Sequence, residues 1–148
     1  MRSPLAMIVS AKTEYACIAM LELAARDERS EPVRIKDIAD RHGIPSRFLV
    51  QILLQLKTAG LVQSVRGASG GYQLALPPRE ITLGTVMSAV DAQSARVVSS
   101  LTSDSPTTRV LHDRWQLVAE KQRELLEEVT LADLVTELRG QTSGMYYI

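Results

Sequence analysis

The chain has 148 residues, 45% of them hydrophobic, and its 17 basic and 17 acidic side chains leave no formal net charge. That composition excludes a disordered chain and suits one core with an appended element. No apolar run approaches the roughly 20 residues of a membrane span, and the lone Cys17 excludes an internal disulfide or a multi-cysteine metal site within one chain.

The apolar opening Met1–Val9 is too short for a secretory leader and runs into Lys12 and Glu14, so the expected compartment is the cytoplasm. A first helix is expected from Lys12 to about Arg29, with Tyr15, Ile18, Ala19, Leu21 and Leu23 as its apolar face. Cys17 lies within that face and reads as core rather than as a redox switch. Glu31-Pro32 ends this helix, and a short one follows from Ile35 to about His42, burying Ile35, Ile38 and Ala39. Gly43 supplies a turn of positive φ.

Pro45-Ser46 suits a helix start. In the helix that follows, Leu49, Ile52, Leu53 and Leu56 fall at i, i+3, i+4 and i+7, a buried stripe closed by Gly60. The period then changes to that of strands: Leu61–Val65, and Tyr72, Leu74 and Leu76 alternating until Pro77-Pro78. Between them lies the glycine-rich turn Arg66-Gly67-Ala68-Ser69-Gly70-Gly71. A strand follows this turn where a P-loop requires Lys-Ser/Thr and a helix, so a nucleotide cradle is excluded.

Thr82 to about Val90 reads as a helix and Asp91–Pro106 as a loop. From Thr107 to about Val129 a long helix carries Leu111, Trp115, Val118, Gln122, Leu125 and Val129 at alternating spacings of four and three. That is a heptad seam with one polar member, the pattern of a helix that packs on a partner helix. A short helix, Leu131–Arg139, leads into a polar spacer, and the chain closes on Met145-Tyr146-Tyr147-Ile148.

Helix, short helix, glycine turn, helix and hairpin is the order of a winged helix-turn-helix. The fold expected is therefore mainly α with a small β-hairpin wing and a long dimerisation helix near the C-terminus. The divisions are 1–91 for the DNA-binding domain, 92–106 for the loop, 107–139 for the dimerisation and terminal helices, and 140–148 for a flexible tail.

With one face of the Pro45–Thr58 helix buried, Ser46, Arg47, Val50 and Gln51 are left near its N-terminus. Arg and Gln suit bidentate contacts to guanine and adenine edges, whereas Ser46 and nearby N–H groups suit a phosphate. Arg66, among small residues at the hairpin tip, suits a minor groove. Charge agrees: Arg34, Lys36, Arg41, Arg47, Lys57 and Arg66 face only Asp37 and Asp40 between Arg34 and Gln73. From Leu101 onward eight acidic residues outnumber five basic ones, so the two regions meet different partners. His42 and His112 read as surface residues. Two other readings remain open: a winged helix used only for protein interaction, without DNA binding, and an enzyme. The second is the weaker, because no nucleophile–base pair or cofactor fingerprint is present.

Several segments together resemble the IscR/NsrR/CymR family of bacterial regulators. They are Lys12-Thr13-Glu14-Tyr15-Ala16, Ile38-Ala39-Asp40-Arg41-His42-Gly43-Ile44, Leu56-Lys57-Thr58-Ala59-Gly60-Leu61-Val62 and Ser64-Val65-Arg66-Gly67-Ala68-Ser69-Gly70-Gly71-Tyr72. Ile81-Thr82-Leu83-Gly84, Ala89-Val90-Asp91 and Thr130-Leu131-Ala132-Asp133-Leu134-Val135 extend the resemblance over most of the chain. It implies a dimer that reads a double-stranded, pseudo-palindromic operator, with repression as the usual outcome. By position it puts Arg47, Phe48 and Gln51 on the recognition helix and Arg66, Gly67, Ser69, Gly70 and Gly71 in the wing at the DNA. Pro45 replaces a common capping Ser, so the cap is expected to shift to Ser46. Val50 stands where some members have Glu, so base preference should differ.

Many members hold an iron–sulfur cluster through cysteines before the long helix. Here residues 92–111 contain none, and His112 alone cannot satisfy a cluster that needs about four ligands. No cofactor is therefore expected. The chain resembles the cluster-free branch, the CymR-type cysteine-metabolism repressors. Cysteine synthases accept a C-terminal isoleucine of partner proteins, which implies that Tyr146, Tyr147 and Ile148 dock cysteine synthase, with O-acetylserine as competitor. The alternatives are a disordered tail and a different signal, either Cys17 oxidation or a small ligand.

Overall fold

The computed structural model describes residues 9–26, 31–91 and 104–144. Six helices and one hairpin follow in chain order: α1 (Ala11–Ala25), α2 (Ile35–His42), α3 (Ser46–Thr58), β1 (Val62–Val65), β2 (Gly71–Leu74), α4 (Leu83–Val90), α5 (Pro106–Glu128) and α6 (Leu131–Gly144). A 3-10 turn, Pro78–Glu80, links β2 to α4. The mainly α fold with a hairpin wing expected from the pattern is present.

α1 starts where the Ser10 hydroxyl accepts from the Thr13 N–H at 3.2 Å, satisfying one of the orphan donors of a first turn. It is the axis of the core, packed against α3, α4 and α6. Ala16, Ala19, Met20, Leu23 and Ala24 are buried along it. The small residues let neighbouring helices approach, while Met20 and Leu23 fill the space between them. The described helix ends at Ala25 with Arg26 as its C-cap, and the last part of the span expected to reach Arg29 lies outside the described residues.

The expected stripe Leu49, Ile52, Leu53 and Leu56 is wholly buried. Each such side chain stabilises the fold by about 1.5–3 kcal/mol relative to exposure, so this stripe sets which face of α3 remains outside. Gly43 takes φ 66° as the C-cap of α2, a left-handed conformation that costs a residue bearing a Cβ about 1–2 kcal/mol. The cap of α3 is a correction: Pro45, not Ser46, is the N-cap residue, and it makes no side-chain capping bond. Proline has φ preset for that entry, and Ser46 becomes the first helical residue.

β1 and β2 pair antiparallel with Val62 opposite Leu74 and Val65 opposite Gly71. Val33 adds a short third rung, exchanging both backbone hydrogen bonds with Tyr72 at 2.8 Å. Leu76, expected in the second strand, lies beyond it and is exposed.

Ser105 and Thr108 form a capping box at the start of α5, with Pro106 in the first turn. α6 continues to Gly144, past the Arg139 expected, so residues 140–144 are helical rather than a flexible spacer. The α5–α6 corner is sewn to the wing–α4 corner by Leu83 N–H to Val129 O (2.9 Å) and Leu131 N–H to Ile81 O (2.8 Å). No described helix is long and apolar enough to cross a membrane.

Candidate nucleic-acid interface

The helix-turn-helix is α2, the Gly43 turn and α3. Burying the Leu49–Leu56 stripe leaves Ser46, Arg47, Phe48, Val50 and Gln51 exposed over the first turns of α3. The Arg47 guanidinium carbon lies 5.6 Å from the Phe48 ring centroid, a cation–π distance. The sequence pattern thus placed these side chains on the outer face without showing that two of them touch.

The wing is held by side chains that sequence reasoning did not single out. Arg34, just before α2, donates from Nη2 to the Ala68 carbonyl at the wing tip. Lys57, near the end of α3, donates to the Ser64 hydroxyl of β1 at 3.0 Å. No local motif marks a residue for a partner 34 positions away.

Arg66, Gly67 and Ser69 are exposed at the tip, whereas Gly70 is buried and Gly71 half-buried. Of the five wing residues expected at the DNA, Arg66, Gly67 and Ser69 are thus the exposed ones. A Cβ on Gly70 would lie 2.2 Å from the Val65 carbonyl oxygen, and one on Gly71 would lie 2.5 Å from the Val33 carbonyl oxygen. These two glycines permit backbone to pass backbone, closing the hairpin on the Val33 rung.

Glu22 of α1, only 15% exposed, braces the back of the motif. Its carboxylate meets His42 Nε2 at 2.9 Å and Arg41 Nη1 at 3.3 Å, both on α2, and Arg26 Nε of its own helix at 3.9 Å. His42 is therefore a surface residue with a structural contact.

α5 has no residue buried within the subunit. Leu111, Trp115, Val118 and Leu125 are all exposed, Trp115 by 53% and Leu125 by 64%, and Gln122 is exposed beside them. Val129, the last member of the expected row, is the C-cap residue, half-buried, with its carbonyl held by Leu83. The exposed apolar row thus ends at Leu125.

Cys17 is half-buried against the core, and burial pushes its thiol up from the usual range. The thiolate is the reactive form, so alkylation of the native protein near pH 7 should be much slower than of the urea-unfolded chain. Equal labelling rates in the two states would show instead that this thiol is open to chemistry.

The arrangement is a winged helix-turn-helix, the class that presents one helix and a hairpin tip to a duplex. The chain belongs to the Rrf2 family, described as iron-dependent transcriptional regulators, whose model matches residues 9–137. A protein of Mycobacterium tuberculosis (strain H37Rv) named as an HTH-type transcriptional regulator is 42% identical over 132 residues, covering 86% of this chain and 81% of that one. The regulator IscR of Vibrio parahaemolyticus is 34% identical over 133 residues, covering 88% and 79%. Among solved structures, the global cysteine regulator CymR of B. subtilis superposes with a TM-score of 0.76 at 32% identity, covering 89% and 98%. IscR of T. potens superposes at 0.72 with 36% identity, covering 89% and 88%. Transcription regulators of this family bind DNA and form dimers.

The donor set does not fit the iron cofactor that the family description implies. Cys17 is the chain's one cysteine and packs on the core from α1, while His112 sits on α5 with Nε2 3.3 Å from the Gln116 amide. Among the described residues no group of three His, Cys, Asp or Glu side chains is placed to hold a metal ion. Residues 92–103 contain no Cys, His, Asp or Glu.

Proposed function

We propose that this chain is a dimeric repressor that reads a two-half-site operator with α3 and the wing, and that its genes belong to cysteine and sulfur metabolism. The carrying observation for DNA reading is the exposed Ser46–Gln51 turn of α3 beside a hairpin tip held by Arg34. Arg47 and Gln51 contact base edges, Phe48 packs beside them, and Ser46 with the first N–H groups of α3 takes a phosphate. Arg66 enters the adjacent minor groove, with Gly67 and Ser69 leaving it room.

Arg47→Ala is expected to weaken operator binding by about 1–3 kcal/mol and to relax base preference at one position. Arg66→Ala should weaken it while also flattening the salt dependence, because a cation has left the backbone and groove. Fluorescence anisotropy at several salt concentrations measures both. An interaction module without DNA binding predicts no steep salt dependence and neutral Arg66→Ala.

Leu111, Trp115, Val118, Gln122 and Leu125 form the dimer seam. The support is physical: a 23-residue helix with no buried residue displays an apolar row interrupted by Gln122, which a second copy of α5 covers.

The sulfur-metabolism role is supported by the likeness to the B. subtilis cysteine regulator and by the chain's lack of cluster cysteines. Its proposed signal is cysteine synthase bound to Tyr146, Tyr147 and Ile148, which lie outside the described residues. Deleting Ile148 should abolish binding to purified cysteine synthase, and O-acetylserine should compete with the intact chain. Unchanged affinity after the deletion removes this signal while leaving the DNA-binding reading intact.

A further inference from the structure

A cleft of about 300 Å³ opens on the side of the subunit formed by the end of α1, the 3-10 turn and α6. Ala24, Pro78, Ala132 and Val135 form its apolar walls, and Thr136 adds a hydroxyl. Arg79 and Arg139 supply its charge, and no carboxylate of the described residues lines it. Arg79 has no ion-pair or hydrogen-bond partner among the described residues.

We propose that this cleft binds a small carboxylate with a short apolar body, and that its occupancy adjusts operator binding. The chemistry selects the ligand class. Guanidinium forks match carboxylates with paired, charge-assisted hydrogen bonds. The apolar walls favour a hydrocarbon body over a bare inorganic anion, which would leave them wet. The volume is at the lower end of small-molecule sites, roughly 300–1,000 Å³, so the occupant is of amino-acid or short-chain-acid size.

The position of the cleft carries the regulatory part. Arg79 lies in the turn that leaves the wing, and Arg139 on the helix that follows α5. A carboxylate held in the cleft bridges the 3-10 turn and α6, two elements that pack against each other. The ligand thereby favours one setting of the wing and α3 relative to α5. This part rests on the DNA-binding reading; ligand binding itself does not.

The test titrates the full chain with straight and branched carboxylates of three to six carbons, isovalerate among them, each beside its neutral amide. Melting temperature and calorimetry are the readouts. At least one acid, and not its amide, should raise the melting temperature saturably. Arg79→Gln should weaken that acid at least about tenfold, the equivalent of one lost charged pair, with an unchanged melting temperature in its absence. The same acid should change operator affinity of the unaltered protein by roughly 5–150-fold. If no acid differs from its amide, or if Arg79→Gln binds as well as the parent, the site is overturned. Binding with unchanged operator affinity overturns the regulatory part. A chain that binds the acid but no operator keeps the site and counts against the DNA-binding reading alone.

Discussion

Val118→Arg is expected to turn the dimer into a monomer and to cut operator affinity by about two orders of magnitude or more. Val118 is the middle member of the exposed row Leu111, Trp115, Val118, Gln122 and Leu125. In a two-fold pair the central residue meets its own copy, so the substitution puts two guanidinium groups against each other in a desolvated seam. Burying unpaired like charge is among the costliest changes an interface can suffer. Because α5 buries nothing within its own subunit, the monomer should keep its fold. Loss of DNA binding then follows from avidity, since one half-site held alone forfeits roughly a 10²–10⁴-fold gain. Sedimentation velocity at micromolar concentration, with circular dichroism as a folding control, decides the matter. A folded Val118→Arg protein that still sediments as a dimer would place the interface elsewhere.

Gly70→Ala is expected to destabilise the domain by about 2–4 kcal/mol, in the range reserved for core or backbone clashes. The added Cβ would sit 2.2 Å from the Val65 carbonyl oxygen and 2.9 Å from that of Gly67, both backbone atoms that no side-chain rotation can move aside. The hairpin must open, and with it the strand that pairs with Val33. Gly43→Ala provides the comparison. Its Cβ would meet nothing within 4 Å but would be held at φ 66°, at a cost of about 1–2 kcal/mol. Urea unfolding of the two variants separates close approach from backbone strain. If Gly70→Ala proves no worse than Gly43→Ala, the crowding at the wing is relieved by a backbone shift.

The elements were legible where burial and spacing agree. The stripe Leu49, Ile52, Leu53 and Leu56 places α3 and its outward face by helical periodicity alone, and the exposed Arg47 and Gln51 follow from it. The heptad row of α5 was equally readable, because an apolar row without a partner in its own subunit is a pattern in the chain before it is a surface. Ends were harder. Pro45 rather than Ser46 caps α3, since a preset φ competes with a side-chain oxygen and local sequence does not rank the two. α6 runs through Gly140 to Gly144, because hydrogen bonds already formed in a helix propagate through residues of low propensity. Val129 keeps the row's spacing but is half-buried at the end of α5, where its carbonyl accepts from Leu83.

The order of elements, the buried stripe of α3, the glycine-rich wing, the apolar row of α5 and the absence of cluster cysteines can all be read along the chain. These depend on periodicity, composition and turn chemistry, which act between near neighbours and are written along the chain. Packing alone reveals that Arg34 holds the wing tip, that Glu22 gathers Arg41 and His42 and that Arg79 and Arg139 share a cleft. Those contacts join residues far apart in the chain. A long-range partner is chosen by where packed helices bring it, so no spacing in the sequence encodes it.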